Sequence, residues 1–212
     1  MERTTEKSCK YIYKIVIAGD QKSGKSTLFS RFTKHKSKFK EPQSGVKFEN
    51  CNFHMSSGEN IKFQLWDIIG FKQYRSIIKS HFRRAVGAFI VYDITSENSF
   101  NSAKSWLEDL RIAEPDIIIS IIGNKIDKDP SLRKISFEQG RTFAQENDAI
   151  FAETSARDNL GVNEAFERLF KRVYDVKVEI IKNDVEMSDQ SSLISEQIKI
   201  EKNTITKNFC CH

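Results

Sequence analysis

Eight consecutive residues, Gly19 to Ser26, carry the clearest chemical signal in the sequence. They read G-D-Q-K-S-G-K-S and fit the P-loop pattern G-x-x-x-x-G-K-[ST]. In such a loop, backbone N–H groups converge on phosphate oxygens, and the start of the following helix adds partial positive charge. Lys25 would reach the β- and γ-phosphates, and the Ser26 hydroxyl would bind Mg²⁺. The stretch therefore predicts a phosphate-binding site.

The flanks of this loop favour a P-loop over an ordinary glycine-containing turn. Residues 11–18 alternate in polarity and are rich in β-branched side chains, which predicts a strand. Residues 27–32 open a helix, with Leu28 and Phe32 four positions apart on one face. A P-loop requires a strand before the glycine loop and a helix after it, and the sequence predicts both.

Composition limits the class of protein. A chain of 212 residues suits one domain with a tail, and a net charge of +5 is too small to favour nucleic acid as a partner. No C-x-x-C pair is present, which argues against zinc and thioredoxin-type sites. The polar start and the short apolar runs predict neither a secretory signal nor a membrane span. We therefore expect a soluble intracellular protein with reduced thiols.

Strand-like and helix-like segments alternate from Tyr11 to about Asp175 in the order β-α-β-β-β-α-β-α-β-α. The strands are predicted at 11–18, 48–55, 61–66, 85–92, 117–122 and 149–152. Two of them are near-continuous apolar runs, which suit parallel strands buried on both faces. The pattern predicts an α/β fold, a six-stranded mostly parallel sheet with helices on both faces. The predicted organisation is a flexible N-terminus over 1–9, one domain over 10–176, and a variable, mobile tail over 177–212.

Two later loops bear on which base accompanies the phosphates. Asn124-Lys125-Ile126-Asp127 follows an apolar strand and looks like the N-K-x-D motif of GTPases, and residues 153–156 resemble the E-T-S-A motif. Taken alone, the match to N-K-x-D is weak, and an ordinary charged surface loop is the alternative interpretation of these four residues. The resemblance implies that Asp127 accepts from guanine, that the Lys125 stem covers the base and that Asn124 ties this loop to the P-loop. It also implies that the Ala156 N–H reads guanine O6.

Residues 10–175 resemble a small GTPase of the Ras superfamily, specifically its Rab branch, and hence the P-loop GTPase fold. Rab motifs are resembled by Leu65-Trp66-Asp67, by the stretch 91–95 (V-Y-D-I-T), by the S-F pair at 99–100 and by S-W-L at 105–107. Phe63, Trp66 and Tyr74 are similar to the aromatic cluster by which Rabs meet effectors. Core packing is the other interpretation of these rings, and the two are compatible.

The resemblance implies a set of ligands and partners. GTP or GDP would bind with Mg²⁺, and Asp67 would contact the ion through water. Lys25 and Gly70 are the candidate catalytic residues. The implied nucleotide contacts are Lys22, Ser23, Gly24, Lys25, Ser26, Thr27, Asn124, Lys125, Asp127, Ser155, Ala156 and Arg157. Effectors, an exchange factor, a GAP and a prenyl-escort protein would bind a monomer. No nucleic-acid partner is expected.

Paired cysteines near the end of the sequence, Cys210 and Cys211, resemble the double geranylgeranylation site of Rabs. They do not form a C-a-a-X box. A chance pair, or a metal-binding pair with His212, is the alternative. Two lipid chains give stable membrane attachment where one gives only marginal attachment. The resemblance implies the cytoplasmic face of an endomembrane compartment, with cycling to the cytosol.

The sequence departs from the family pattern in three segments of the catalytic site. Phe71 stands where the family has the Gln that orients the attacking water, and a phenyl ring cannot hydrogen-bond that water. Gln43 stands where a Thr binds Mg²⁺, although Ser44 could substitute if the loop shifts by one residue. Gln21 and Lys22 replace small P-loop residues, and Gln21 would crowd the γ-phosphate.

These departures leave two interpretations open. The first is a Rab-like trafficking switch that hydrolyses GTP slowly, aided by a GAP of the TBC type, which supplies both Arg and Gln in trans. The second is a guanine-nucleotide-binding module with little or no hydrolysis that recruits effectors constitutively. A P-loop kinase or ATPase is disfavoured by Asn124 and Asp127 and by the missing lid segment.

Overall fold

One mixed sheet forms the centre of the protein. The structure, a computed structural model, describes residues 11–33, 46–55, 58–68, 70 and 75–181. The strands are β1 (Ile12–Ala18), β2 (Val46–His54), β3 (Asn60–Ile68), β4 (Gly87–Asp93), β5 (Ile118–Asn124) and β6 (Ile150–Thr154). Their order is β2-β3-β1-β4-β5-β6, and only the β2–β3 pair is antiparallel. The predicted α/β class and the mostly parallel six-stranded sheet are confirmed.

Five helices accompany these strands in the described residues. They are α1 (Lys25–Phe32), α2 (Arg75–Lys79), α3 (Glu97–Ala113), α4 (Phe137–Glu146) and α5 (162–181). Single 3₁₀ turns lie at Ser80–Phe82 and Pro130–Leu132. The chain divides into two compact units, Met1–Val173 and Tyr174–His212, and the described part of the second unit is helical. The boundary expected at 176 stays a prediction.

Apolar side chains alternate between the two faces of the sheet. Val16 and Ala18 of β1 belong to the buried cluster that contains Trp106 and Leu110 of α3. On the other face, α1 packs on β1 and β3, and an aromatic stack joins α1, α5 and the sheet. In that stack the ring centroids of Phe32 and Phe166 lie 4.0 Å apart, and those of Phe63 and Phe170 lie 3.9 Å apart. Phe63, Phe166 and Phe170 are fully buried, and the burial of each of these rings contributes about 1.5–3 kcal/mol.

The same packing brings the polar loops together. Strands β1, β3, β4, β5 and β6 run parallel, so their carboxyl ends reach one edge of the sheet. In open α/β sheets, ligands bind in the crevice outside this edge. The P-loop and the loops after β5 and β6 follow strands there, Asp67 is the last residue but one of β3, and Asp93 is the last residue of β4. The fold therefore brings the P-loop and the two predicted base loops to one edge of the sheet.

Candidate functional site

The P-loop ends in a helix start that suits an anion. Gly24 is the N-cap of α1 with φ at 98°, and the Leu28 N–H donates to its carbonyl at 2.8 Å. A Cβ at position 24 would lie 2.1 Å from Asn124 Nδ2, so both the backbone angle and the space require glycine. The first turn of α1 has no acidic residue and no side-chain cap. Its N–H groups thus remain available for phosphate oxygens.

Lys25 is a buried cation beside this helix start. The residue is only 5% exposed, and its Nζ donates to the Asp20 carbonyl at 2.6 Å. Burial lowers the pKa of Lys25 to about 8, while the nearby Asp67 and Asp20 carboxylates act in the opposite direction. A polyphosphate at this point would supply the negative charge that favours the ammonium form.

Ser26 and Asp67 form a pair that suits a hard cation. Asp67 is 3% exposed, and burial raises its pKa, opposed by a hydrogen bond from Ser26 and by Lys25. Among the described residues, no group donates to the buried Asp67 Oδ1. Mg²⁺ is usually held by one or two protein oxygen ligands with waters and substrate phosphates. The hydroxyl and the unpartnered carboxylate oxygen fit that ion, which Ser26 and Asp67 would hold.

A cavity of about 420 Å³ lies over these groups. It is lined by Gln21, Lys22, Gly24, Lys25, Ser26, Thr27, Gly70 and Lys125. The Gly70 carbonyl accepts from the Gln21 N–H at 3.1 Å, which ties residue 70 to the P-loop backbone. A Cβ on Gly70 would lie 2.2 Å from the Gly19 carbonyl oxygen, so only glycine fits this close approach.

A second cavity, of about 190 Å³, adjoins the first. Its lining residues are Gly24, Thr27, Asn124, Lys125, Asp127, Lys128, Ala156 and Arg157. Because Gly24, Thr27 and Lys125 line both cavities, one ligand can occupy the two together. The predicted phosphate loop and the two predicted base loops thus surround one continuous space.

Asn124 connects the three loops of this site. It is 1% exposed, and its Nδ2 donates to the Ser23 carbonyl at 2.9 Å, the tie to the P-loop that the sequence resemblance implies. Its Oδ1 accepts from Thr154 Oγ1 and from the Ala156 N–H, both at 3.1 Å. The Ala156 N–H therefore already has an acceptor, and a bond from it to guanine O6 requires sharing.

Three further hydrogen bonds fix the base loops. Ser155 Oγ donates to Asp127 Oδ1 at 2.8 Å, which orients the carboxylate predicted to face guanine. Arg31 of α1 donates through Nε to the Ala156 carbonyl at 3.0 Å and through Nη2 to the Arg157 carbonyl at 2.6 Å. The loop after β6 is therefore held both by Asp127 of the loop after β5 and by Arg31 of α1.

Some predicted residues are outside this description, and some contacts were not expected. Gln43, Ser44, Phe71, Cys210 and Cys211 lie outside the described residues. Sequence interpretation quoted the motifs that contain Asp93 and Thr154 but gave these two residues no role, although both end strands at the ligand edge of the sheet. It also missed the hydrogen bond from Trp106 Nε1 to Asp20 Oδ1, 2.9 Å long, which joins α3 to the P-loop.

The predicted aromatic effector cluster needs one correction. Phe63 has no exposed surface and stacks on Phe170, so core packing applies to this ring and its assignment to the effector-binding cluster is wrong. Phe48, which is 44% exposed, contacts Trp66 instead, with ring centroids 5.1 Å apart. His81 lies 6.2 Å from Trp66 on the same face. Tyr74 lies outside the described residues.

Comparison with known sequences gives the family. Residues 14–175 match the family model described as "Ras family". The chain therefore belongs to the Ras family of small GTPases, as the fold and the order of its loops indicate.

The relatives narrow this class to its Rab-like members. The chain is 38% identical to the Ras-related protein RABA6a of Arabidopsis thaliana over 86% of this chain and 78% of the relative. It is 40% identical to the Ras-related protein Rab-11C of Dictyostelium discoideum, over 80% and 75%. It is also 40% identical to the GTP-binding protein ypt3 of Schizosaccharomyces pombe, over 78% of each. In the ranges that the structure covers, no helix combines the length and the apolar character needed to cross a membrane.

Proposed function

We propose that this Rab-like protein is a GTP- and GDP-binding switch in membrane traffic that hydrolyses GTP slowly. The observation that carries the proposal is the junction at Asn124, which connects the P-loop to both base loops. One relative is itself named a GTP-binding protein. The domain at 10–176 would hold the nucleotide, and the tail at 177–212 would carry the lipids.

The nucleotide would span both cavities. Its phosphates would contact the P-loop residues Lys22 to Thr27, with the Lys25 ammonium against the β- and γ-phosphates. Its base would contact Asn124 to Asp127 and Ser155 to Arg157. Mg²⁺, when bound at Ser26 and Asp67, neutralises phosphate charge.

Hydrolysis would proceed by in-line attack of water on the γ-phosphate. Lys25 would stabilise the negative charge of the transition state, and the Gly70 N–H would contact the γ-phosphate. Phe71 cannot orient the water, and Gln21 lines the cavity where that water would enter. Family members with the orienting Gln hydrolyse GTP unaided at about 10⁻⁴ s⁻¹. We expect a slower rate here.

A second function, a nucleotide-binding module with almost no turnover, is favoured by the same Phe71. Single-turnover hydrolysis of bound GTP, with and without a GAP of the TBC type, separates the two. An unaided rate within about tenfold of 10⁻⁴ s⁻¹, or strong acceleration by the GAP, would exclude the inactive module. Phe71→Gln should raise the unaided rate, and Lys25→Ala is the control that should lose nucleotide. Failure of the wild-type protein to retain GDP would contradict both functions.

Effector binding and membrane attachment complete the proposal. The partly exposed aromatic patch of Phe48, Trp66 and His81 would contact effectors, as aromatic residues commonly do at interfaces. Prenyl groups on Cys210 and Cys211 would hold the protein on an endomembrane, from which it cycles to the cytosol. Mass spectrometry of the protein from cells tests the lipids, and a Cys210→Ser, Cys211→Ser variant should leave the membrane fraction. Unmodified cysteines in the wild-type protein would contradict this.

A further inference from the structure

Asp93, at the carboxyl end of β4, forms an ion pair inside the site. Its Oδ2 lies 2.5 Å from Nζ of Lys125, and the two side chains are 13% and 26% exposed. The pair follows from the sheet, because Asp93 lies opposite Asn124 in the register of β4 and β5. Partial burial makes this a stronger interaction than a solvent-exposed pair.

Hydrogen bonds to the segment that follows β4 hold the Asp93 carboxylate in place independently of Lys125. Its Oδ1 accepts from the Thr95 N–H at 2.9 Å and from Thr95 Oγ1 at 2.7 Å. Its own N–H donates to Ser99 Oγ at 2.9 Å. One carboxylate oxygen is thus occupied by the chain that follows β4, and the other faces Lys125. Burial raises the pKa of Asp93, but the hydrogen bonds from Lys125 and Thr95 outweigh it and hold the carboxylate ionised.

Lys125 is constrained at both ends. Its φ of 77° lies in the left-handed region, which is uncommon for a residue other than glycine, and its N–H donates to the Thr154 carbonyl at 2.9 Å. Its ammonium is held by Asp93. The stem between these two points lines both the phosphate cavity and the base cavity.

We propose that Asp93 is a positioning residue for nucleotide binding, which holds the Lys125 stem against the base by its ion pair. This inference rests on the proposed nucleotide site. A free lysine side chain samples many rotamers, and ordering it on binding costs entropy. Asp93 removes that cost in advance, because the stem is already extended between the strained backbone and the carboxylate.

A double-mutant cycle on nucleotide dissociation tests the inference. The release of fluorescently labelled GDP is timed after mixing with excess unlabelled GDP. Asp93→Asn should accelerate release by on the order of tenfold, since it removes a hydrogen-bonded charge pair. Lys125→Met keeps an unbranched stem but lacks the ammonium. In that background Asp93→Asn should have little further effect. Any direct repulsion between Asp93 and the phosphates is present in both backgrounds and cancels in the cycle.

The control variant removes a negative charge at a position outside the proposed nucleotide site. Glu138→Gln removes one negative charge from an exposed pair on α4 and should leave the release rate within about twofold. Asp93→Ser, whose hydroxyl still accepts from the Thr95 N–H, is the second variant if Asp93→Asn does not fold. An unchanged rate, or equal acceleration with and without Lys125, would overturn the positioning role. A wild-type protein that retains no GDP would instead contradict the proposed function.

Discussion

Removal of the Asn124 side chain should destabilise the protein before any ligand is added. Asn124→Ala deletes three buried hydrogen bonds, to the Ser23 carbonyl, Thr154 Oγ1 and the Ala156 N–H. Each contributes about 1 kcal/mol net, and each buried partner left unsatisfied adds a penalty of about 1–3 kcal/mol where water does not replace the amide. We expect the free energy of unfolding to fall by roughly 3–5 kcal/mol, a large part of a typical 5–15 kcal/mol.

Urea unfolding of the nucleotide-free protein, followed by circular dichroism, measures this loss. Thr154→Val is the matched control, because it removes one of the three bonds and keeps the side-chain shape. It should cost about 1 kcal/mol. A loss for Asn124→Ala no larger than that of Thr154→Val would refute the inference that Asn124 joins three loops. If the loss of unfolding free energy in Asn124→Ala equals that in Thr154→Val and the GDP release rate is unchanged, the Asn124 junction is also separate from the nucleotide site.

Three other outcomes follow from single contacts. Trp106→Phe deletes the hydrogen bond to Asp20 but keeps an aromatic ring, and should lower the free energy of unfolding in urea by about 1.5–3 kcal/mol; an unchanged midpoint would contradict this. Gly70→Ala forces a backbone shift against Gly19 and should slow single-turnover hydrolysis at least about tenfold while GDP still binds; an unchanged rate argues against a role for Gly70. Burial raises the pKa of Cys51 to about 11, so alkylation at pH 8 should be about a hundredfold slower than for a small thiol, as mass spectrometry of the Cys51 peptide would measure.

The sheet could be predicted because its strands carry strong local patterns. The apolar run of β4 is buried throughout Gly87 to Tyr92, and its length and composition predict a central parallel strand. Observed strand ends differ from prediction by one or two residues, since pairing with a neighbour rather than side-chain type decides where a ladder stops. Helix α2 was not predicted, because five residues are too few for an apolar period.

The site could be predicted only where its residues are contiguous. The P-loop and the loop after β5 are local motifs, whereas the contact of Asp20 with Trp106 joins residues 86 positions apart. Only the tertiary fold brings such pairs together.

The error at Phe63 has a different origin. Residues 63 and 66 lie on opposite faces of β3 by the two-residue period of a strand, so the alternation alone separates Phe63 from Trp66.

The register of the β2–β3 hairpin has a consequence for engineering. Val46, the first residue of β2, lies opposite Ile68, the last residue of β3, whereas the turn at the far end is closed by the Met55 N–H and the Glu59 carbonyl at 2.9 Å. A peptide tag inserted at Gly58 would lengthen the turn without moving the Val46–Ile68 rung. Addition of a single residue within β3 would instead turn the side chains beyond it to the opposite face. Gly58, with open space where a side chain would begin, is therefore a suitable position for a label that reports on the protein without disturbing its site.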